Sequence, residues 1–249
     1  MSILETKKIV KSFGGVHAVD GLSVGFEKGK ITGLIGPNGS GKSTLINLLT
    51  GVLPMDGGSV SVSDVDIFKL EPHEVSDYGI TRTFQEVRLF EQMKVIDNIL
   101  VVLTKRNVLS SLFEKHKQFH LERAEEVLKK VGLWEKRNDL AKNLSYGQRK
   151  LLEVARVLAM SNGFGSNSEI FFFDEPFAGL FPEMRKIVIQ VIKDLKGEGK
   201  TVVLVEHNID IIRELCDNLI VLDSGQLLAI GAPIEVLSKR EVMDAYLGE

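Results

Sequence analysis

GPNGSGKST, residues 36–44, follows the apolar run 31–35 and precedes a run typical of a helix, residues 45–50. The stretch fits the pattern G-x-x-x-x-G-K-[ST], and it lies between a strand and a helix as that pattern requires. Glycines let backbone amides approach an anion closely and tolerate positive φ, because a side chain would block both. The stretch therefore predicts a loop that binds the phosphates of a nucleoside triphosphate.

Each part of this loop, residues 36–44, has an expected role in binding phosphate. The amides of residues 39–44 are expected to wrap the β- and γ-phosphates, Lys42 to neutralise them, and the Ser43 hydroxyl to bind Mg²⁺. The residues predicted to contact the nucleotide here are Gly36, Pro37, Asn38, Gly39, Ser40, Gly41, Lys42, Ser43 and Thr44.

Two adjacent acids follow a hydrophobic run later in the chain, in FFFDE, residues 171–175. An Asp-Glu pair after a strand often belongs to a helix-capping turn. Phosphoryl transfer, however, needs a carboxylate for the metal and a group that orients the attacking water, and parallel strands place ligands at their carboxyl ends. Together with Lys42, the pair predicts that Asp174 binds Mg²⁺, directly or through water, and that Glu175 polarises the water.

Composition limits the classes of protein to which the chain can belong. Its 249 residues are 44% hydrophobic and carry a formal net charge of -3, which predicts a buried core and gives no reason to expect nucleic acid as a partner. The single cysteine, Cys216, has no partner for an internal disulfide. The N-terminus lacks the apolar core of a secretory signal, and no apolar run approaches the roughly 20 residues that a membrane-spanning helix needs. We expect a cytoplasmic protein whose connection to a membrane depends on a partner.

The order of patterns along the chain predicts an α/β fold. Alternating apolar residues broken by glycines, in residues 3–26 and 60–67, are typical of an antiparallel sheet, whereas the continuous apolar runs 31–35, 170–173 and 201–205 predict buried parallel strands. Helical periodicity ends at Gly132 in one segment and at Gly197 in another. Residues 92–160 have helical periodicity and no convincing strand, which indicates a helical insertion.

LSYGQ, residues 144–148, opens a further predicted helix and resembles the LSGGQ signature of ATP-binding cassette (ABC) ATPases, with Tyr146 in place of the first glycine. Three more positions match that family. Phe13 lies where the family has an aromatic residue that stacks on adenine, Gln85 in TFQ matches the Q-loop, and His207 in VEH matches the switch histidine. With the two motifs above, six motifs occur in the family's order.

The resemblance implies a P-loop NTPase (RecA-like) core with an antiparallel β-subdomain and an inserted α-helical subdomain. The core and β-subdomain would comprise residues 1–85 and 162–249, and the helical subdomain residues 86–161. It also implies that two chains sandwich two ATP molecules head to tail, because a signature segment would lie too far from the P-loop of its own chain, and that isolated monomers hydrolyse ATP slowly.

Each site would then combine residues of two chains. The catalytic set implied by the resemblance is Glu175, His207, Gln85 and Lys42. The metal ligands would be Ser43, Gln85 and Asp174. Beyond the P-loop, the nucleotide would contact Phe13 of one chain and Ser145, Gly147 and Gln148 of the other.

Within the family, the chain is most similar to the ATPase subunits of branched-chain amino-acid importers. The likeness rests on GITRTFQEVRLF at residues 79–90, on the tyrosine-containing signature, on VEHN at residues 205–208 and on the ending YLGE. It implies a second ATPase subunit, two membrane permease subunits, an extracytoplasmic solute-binding protein and a location on the inner face of the cell membrane. Residues 88–93 would help to form the groove that receives cytoplasmic helices of the permeases, with Leu89, Phe90 and Met93 exposed for that purpose.

Several alternatives stay open at this point. The three apolar residues of the docking segment, residues 88–93, could instead belong to the core. An exporter ATPase of the lipopolysaccharide type shares much of the ending, and a non-transport ABC ATPase is the other alternative. The sequence does not distinguish a homodimer from a heterodimer, nor branched-chain amino acids from other amino acids, amides or urea. Tyr146 fits only if its side chain points away from the nucleotide, and Phe181 replaces an acidic or amide residue that helps the two sites of relatives to communicate.

Overall fold

A computed structural model describes residues 1–71, 73–83, 88–103, 117–161 and 168–247. Its strands are β1 (Ser2–Phe13), β2 (Val16–Leu22), β3 (Gly25–Glu27), β4 (Ile31–Ile35), β5 (Gly57–Val62), β6 (Val65–Ile67), β7 (Ile80–Arg82), β8 (Ile170–Asp174), β9 (Thr201–Val205), β10 (Asn218–Asp223) and β11 (Gln226–Gly231). Its α-helices are α1 (Lys42–Leu49), α2 (Val95–Leu103), α3 (Lys117–Lys130), α4 (Tyr146–Ala159), α5 (Pro182–Gly197), α6 (Ile209–Leu215), α7 (Pro233–Leu237) and α8 (Arg240–Leu247).

The central sheet has the strand order β11-β10-β4-β9-β8-β7 and is parallel except for the β10–β11 pair. The predicted buried strands are confirmed, since every residue of β4, β8 and β9 is buried. In the register of the sheet, Val205 lies opposite both Leu34 and Asp174. The carboxyl ends of three strands therefore lie side by side, and the residues that follow them share one edge of the sheet.

The second sheet is antiparallel, with the order β2-β1-β5-β6 and with β3 paired to β1. One hydrophobic cluster joins this sheet, the buried face of α1 and one face of the central sheet, where Phe26 meets Phe172 edge to face at 6.4 Å between ring centroids. A second cluster packs the helices against the opposite face. Since the buried face of α1 packs between the two sheets, this helix anchors the loop that precedes it.

The helical segment contains α2, α3 and α4, which pack on one another. Within the described part of residues 92–160 the structure has no strand, only an isolated bridge between Lys94 and Leu140, as the periodicity predicted. The subdomain boundaries at residues 85–86 and 161–162 stay a prediction. No helix among the described residues combines the length and apolar character needed to cross a membrane.

One predicted boundary was wrong, because the helix after the glycine-rich loop begins at Lys42 rather than at residue 45. The predicted helix end at Gly197 is confirmed, since α5 ends at that residue, and Gly199 beyond it is left-handed, with φ of 77°. Val65, in the alternating stretch of residues 60–67, is 56% exposed on the short edge strand β6.

Candidate active site

The glycine-rich loop between β4 and α1 has a backbone that few side chains would permit. Gly36 and Gly41 have φ of 151° and 99°. A Cβ atom at Gly36 would lie 2.2 Å from the carbonyl oxygen of Leu222, and one at Gly41 would lie 2.4 Å from that of Ala18. The loop is therefore pressed against β10 and β2, and this close approach requires glycine at both positions.

Helix α1 opens directly from this loop without a side-chain cap at Gly41. The first N–H groups of a helix have no partner within the helix and carry part of its positive dipole. Ser43 is exposed and Thr44 partly exposed, so the first turn is accessible from solvent. These are the features of an anion-binding helix start.

Lys42 places its ammonium group within the same loop. Its side-chain nitrogen donates hydrogen bonds to the carbonyl oxygens of Gly36 and Pro37, at 2.7 and 2.9 Å, and lies 3.5 Å from Ser40 Oγ. Lys42 is buried, so water screens its positive charge less than it would screen that of an exposed lysine. Loop amides and a buried cation together match the chemistry of nucleotide phosphates.

Asp174, the last residue of β8, is buried and pairs with Arg82. Arg82 Nη2 lies 3.4 Å from Asp174 Oδ2, and Arg82 Nη1 donates to Asn47 Oδ1 at 2.7 Å and to Thr50 Oγ1 at 2.9 Å, both near the C-terminal end of α1. Burial raises the pKa of Asp174, and the neighbouring Arg82 opposes that shift. Arg82 thus ties the acidic strand end to the helix that begins at Lys42, a role that the sequence did not suggest.

The residues present fit a magnesium ion. A hydroxyl from Ser43 and a carboxylate from Asp174 are hard oxygen ligands, which Mg²⁺ prefers while it keeps several waters and substrate phosphates as its other ligands. The described residues contain no group of three or more His, Cys, Asp or Glu side chains that could hold a metal ion. Gln85, the third expected ligand, lies outside the described residues.

Glu175 and His207 face each other at the ends of β8 and β9. His207 Nε2 lies 3.0 Å from Glu175 Oε1. Glu206 Oε2 accepts hydrogen bonds from the backbone N–H groups of His207 and Asn208, at 2.9 and 3.2 Å, and so fixes the turn that carries the histidine. Nothing in the sequence indicated this supporting role of Glu206. An open cleft beside the pair is lined by Glu175, Phe177, Ala178, Arg185, Glu206, His207, Asn208 and Ile211.

The signature segment, residues 144–148, begins helix α4. Ser145 Oγ accepts from the N–H of Gln148 at 3.3 Å, and Gln148 Oε1 accepts from the N–H of Ser145 at 3.0 Å, which is a capping box. The local sequence thereby accounts for where α4 starts. The role of Ser145, Gly147 and Gln148 in nucleotide binding stays a prediction.

The tyrosine of the signature packs against its own chain. A Cβ atom at Gly179 would lie 2.7 Å from Tyr146 Cε1, so the ring covers the loop that follows Glu175. Helix α4 packs with α2, α3 and α5, whereas the P-loop lies against β2 and β10. The structure therefore brings Asp174, Glu175 and His207 to the sheet edge where the P-loop starts, and it places the signature on a separate group of helices.

Two remaining predictions concern exposed aromatic residues. Phe13 is exposed at the end of β1, with the Lys11 ammonium 5.5 Å from its ring centroid. Phe90 is 46% exposed, and both of its backbone polar groups bond to the side chain of the buried Asn98, at 2.9 and 3.1 Å. Leu89 packs against the hydrophobic core and Met93 is half-buried, so the expectation that all three apolar residues of the docking segment are exposed was wrong. Only Phe90 projects.

Comparison with known proteins agrees with this geometry. A family model described as "ABC transporter" matches residues 19–178. The chain is 39% identical to a probable branched-chain amino acid transport ATP-binding protein, LivG, of Methanocaldococcus jannaschii, over 100% of this chain and 98% of that protein. It is 35% identical to the high-affinity branched-chain amino acid transport ATP-binding proteins LivG of Salmonella typhimurium, over 99% and 98%, and BraF of Pseudomonas aeruginosa, over 99% and 98%.

Similar solved structures are also ATP-binding cassettes. A nucleotide-free cassette from an ABC transporter has a TM-score of 0.85 at 38% identity and covers 100% of both chains, and an ADP conformation of such a cassette has 0.84 at 38% identity with the same coverage. A dimeric cassette in a post-hydrolysis state, bound to ADP and Pi, has a TM-score of 0.78 at 25% identity and covers 92% of this chain and 98% of that one.

Proposed function

The chain belongs to the ABC transporter family and is an ATP-binding ATPase of that family, and from this premise we propose that it powers the import of branched-chain amino acids. The relatives named above are branched-chain amino-acid transport proteins, which supports import rather than the alternatives of lipopolysaccharide-type export or a non-transport role. It would act at the inner face of the membrane through two permease subunits, with an external solute-binding protein supplying the solute.

The observation that carries the catalytic assignment is the Glu175–His207 pair at 3.0 Å, beside the strand end that opens the P-loop. The P-loop amides and Lys42 would bind the β- and γ-phosphates of ATP. Glu175 would orient the attacking water and accept its proton, while His207 would contact the γ-phosphate and keep the glutamate aligned. Mg²⁺, when bound by Ser43, Asp174 and Gln85, would neutralise charge on the phosphates.

A second ATPase subunit would complete each site. The dipole of a helix start favours an anion, and α4 begins directly after its N-cap Ser145, among the helices rather than at the P-loop. The similar cassette that is dimeric with ADP and Pi bound supports the pairing of two such chains. Ser145, Gly147 and Gln148 of one chain would then face the ATP held by the P-loop of the other, while Phe13 stacks on adenine.

Transport itself tests the proposal. The chain, co-expressed with candidate permease subunits and reconstituted in vesicles with a solute-binding protein, is expected to drive ATP-dependent accumulation of radiolabelled leucine, isoleucine or valine. The same complex carrying Glu175→Gln is the control, because it retains every subunit and loses turnover. ATP hydrolysis stimulated by a different solute would contradict the substrate assignment, and failure to bind any permease would contradict a transport role.

The docking segment, residues 88–93, offers a separate test of permease coupling. Phe90 is exposed on a segment fixed by Asn98, and the Arg156 guanidinium lies 5.5 Å from its ring centroid, so an apolar anchor is presented on a rigid base. Phe90→Ser is expected to lower solute uptake about tenfold, since truncating one interface anchor often costs more than 1 kcal/mol. ATP hydrolysis by the isolated subunit should change less than about twofold, because substitution of an exposed side chain away from the site has little effect on stability.

The matched control is Phe68→Ser. Phe68 is 74% exposed and follows Ile67 of β6, which belongs to the cluster under the antiparallel sheet, whereas Leu89 of the docking segment packs against the other cluster. Phe68→Ser should leave uptake unchanged. If Phe90→Ser lowered hydrolysis and uptake to the same extent, Phe90 would have no specific role in docking.

A further inference from the structure

Helix α4 carries a lysine on its buried face. Lys150 is only 3% exposed, although an ammonium group in the interior is costly unless it is well paired. Its side-chain nitrogen donates a hydrogen bond of 2.9 Å to the backbone carbonyl oxygen of Glu175. Lys150 also lies close enough to Asp174 to lower the pKa of that carboxyl, against the effect of burial. A buried cation on the signature helix α4 thus binds the backbone at Glu175, where the acidic pair ends and the following loop begins.

Glu175 has a backbone conformation that needs such support. Its φ is 47°, in the left-handed region that residues with a Cβ atom seldom adopt. The residue is held by its N–H, which donates to the carbonyl oxygen of Val205 at 3.0 Å, by its carboxylate beside His207, and by its carbonyl oxygen on Lys150. Strained residues persist only where their surroundings fix them, and two of these three contacts come from β9 and the turn after it. Lys150 supplies the only one of the three that comes from α4.

Two more contacts place the start of α4 against the segment that follows Glu175. The ring of Tyr146 covers Gly179, and a Cβ atom at Gly147 would lie 2.6 Å from Met184 Sδ. Lys150 comes four and three residues after these positions, so the three side-chain positions share one face of the helix. The first two turns of α4 therefore pack against Glu175, Gly179 and Met184.

We propose that Lys150 is a positioning residue for ATP hydrolysis, holding the backbone of Glu175 so that its carboxylate faces the attacking water. This proposal rests on the proposed role of Glu175 as the base. Because α4 begins at the segment that serves the partner chain's ATP, Lys150 also connects the position of that segment to the base of its own chain. A displacement of α4 changes the distance to the Glu175 carbonyl oxygen, and with it the orientation of the carboxylate.

Lys150→Met tests this role, because methionine keeps the length and tolerates burial while it removes the charge and the donor. A misplacement of about 1 Å at a catalytic group can cost on the order of 100-fold, so kcat is expected to fall by about 10-fold to 100-fold. The affinity for ATP should stay within about twofold, because the hydrogen bond of Lys150 goes to the Glu175 carbonyl oxygen and not to the P-loop. Lys150→Arg keeps a donor and should recover part of kcat.

Lys200→Met is the matched control for a structural effect. Lys200 is 5% exposed and pairs with Glu169 at 2.8 Å, but it precedes the amino end of β9, at the opposite edge of the sheet. It should lower the melting temperature without lowering the kcat of the folded enzyme. The proposal would be overturned if the apparent kcat of Lys150→Met fell only in proportion to its folded fraction and Lys150→Arg showed no recovery.

A double-variant cycle separates this proposal from the role of Glu175 itself. If Lys150 acts through Glu175, adding Lys150→Met to Glu175→Gln should not lower the residual turnover further. Additive losses would overturn the positioning role while leaving the base assignment intact. If Glu175→Gln alone retained the wild-type rate, the base assignment would fail first, and the two failures would be distinguished.

Discussion

Glu175→Gln is expected to lower ATP turnover at least about 100-fold, which is the lower range for removal of a general base. Glutamine has the shape of glutamate and can still bond to His207 from the same position, where the present distance is 3.0 Å. It cannot accept the proton of the attacking water. The P-loop contacts made by Lys42 do not involve this side chain, so ATP binding should stay within about twofold of wild type.

The same variant should accumulate as a dimer with ATP bound, because the ATP held between two chains is no longer consumed. Steady-state hydrolysis, equilibrium nucleotide binding and light scattering with and without ATP measure the three expectations. Glu183→Gln is the control, since Glu183 is an exposed glutamate in the first turn of α5 that pairs with Lys186. A Glu175→Gln protein that turned over ATP at the wild-type rate would remove Glu175 from the catalytic role.

The sheet and its phosphate loop could be predicted because local sequence determines them. Continuous apolar runs read as strands buried on both faces, and β4, β8 and β9 are buried throughout. The glycines at 36 and 41 predicted a loop with positive φ, and φ is 151° and 99° at these positions. In both cases the residues of one short segment are enough to determine its local structure.

Contacts between distant segments were beyond local reasoning. Arg82 and Asp174 are 92 residues apart, and the sequence around neither residue predicts that they pair. Nothing in the sequence around Lys150 indicated that this lysine would be buried, yet it is 3% exposed and its ammonium group donates to the Glu175 carbonyl oxygen. The left-handed φ of Glu175 was also unpredictable, since glutamate has no preference for that region.

A local pattern can predict a helix end but not which of two adjacent apolar residues is buried. The end of α5 at Gly197 was predicted, and its last turn is closed by residues beyond it: Leu195 accepts from the N–H of Lys200 at 3.0 Å, and Lys196 from that of Gly199 at 2.9 Å. In the docking segment, Leu89 packs inward and Phe90 is exposed, because tertiary packing decides between these two neighbours.

Division of the active site between two chains predicts complementation between inactive variants. Lys42→Ala removes the buried ammonium that lies in the P-loop, and is expected to lower hydrolysis at least about 100-fold, since charged phosphate contacts in a desolvated site are worth several kcal/mol. Ser145→Asp keeps an excellent N-cap for α4, and so preserves the fold. It places a carboxylate against the terminal phosphate of the partner's ATP, where like-charge repulsion of several kcal/mol should reduce hydrolysis about as much.

An equal mixture of the two variants should regain activity if a second copy of this chain supplies the signature segment. Half of the dimers are then mixed, and each mixed dimer has one site in which intact Lys42 of one chain faces intact Ser145 of the other. Recovery of about a quarter of wild-type activity follows from this symmetric pairing. The control is a mixture of Lys42→Ala with a chain that carries both Lys42→Ala and Ser145→Asp, because no P-loop in that mixture keeps its lysine. Native mass spectrometry counts the mixed dimers, and a mixture that stays inactive although mixed dimers form would show that a second copy does not complete the site.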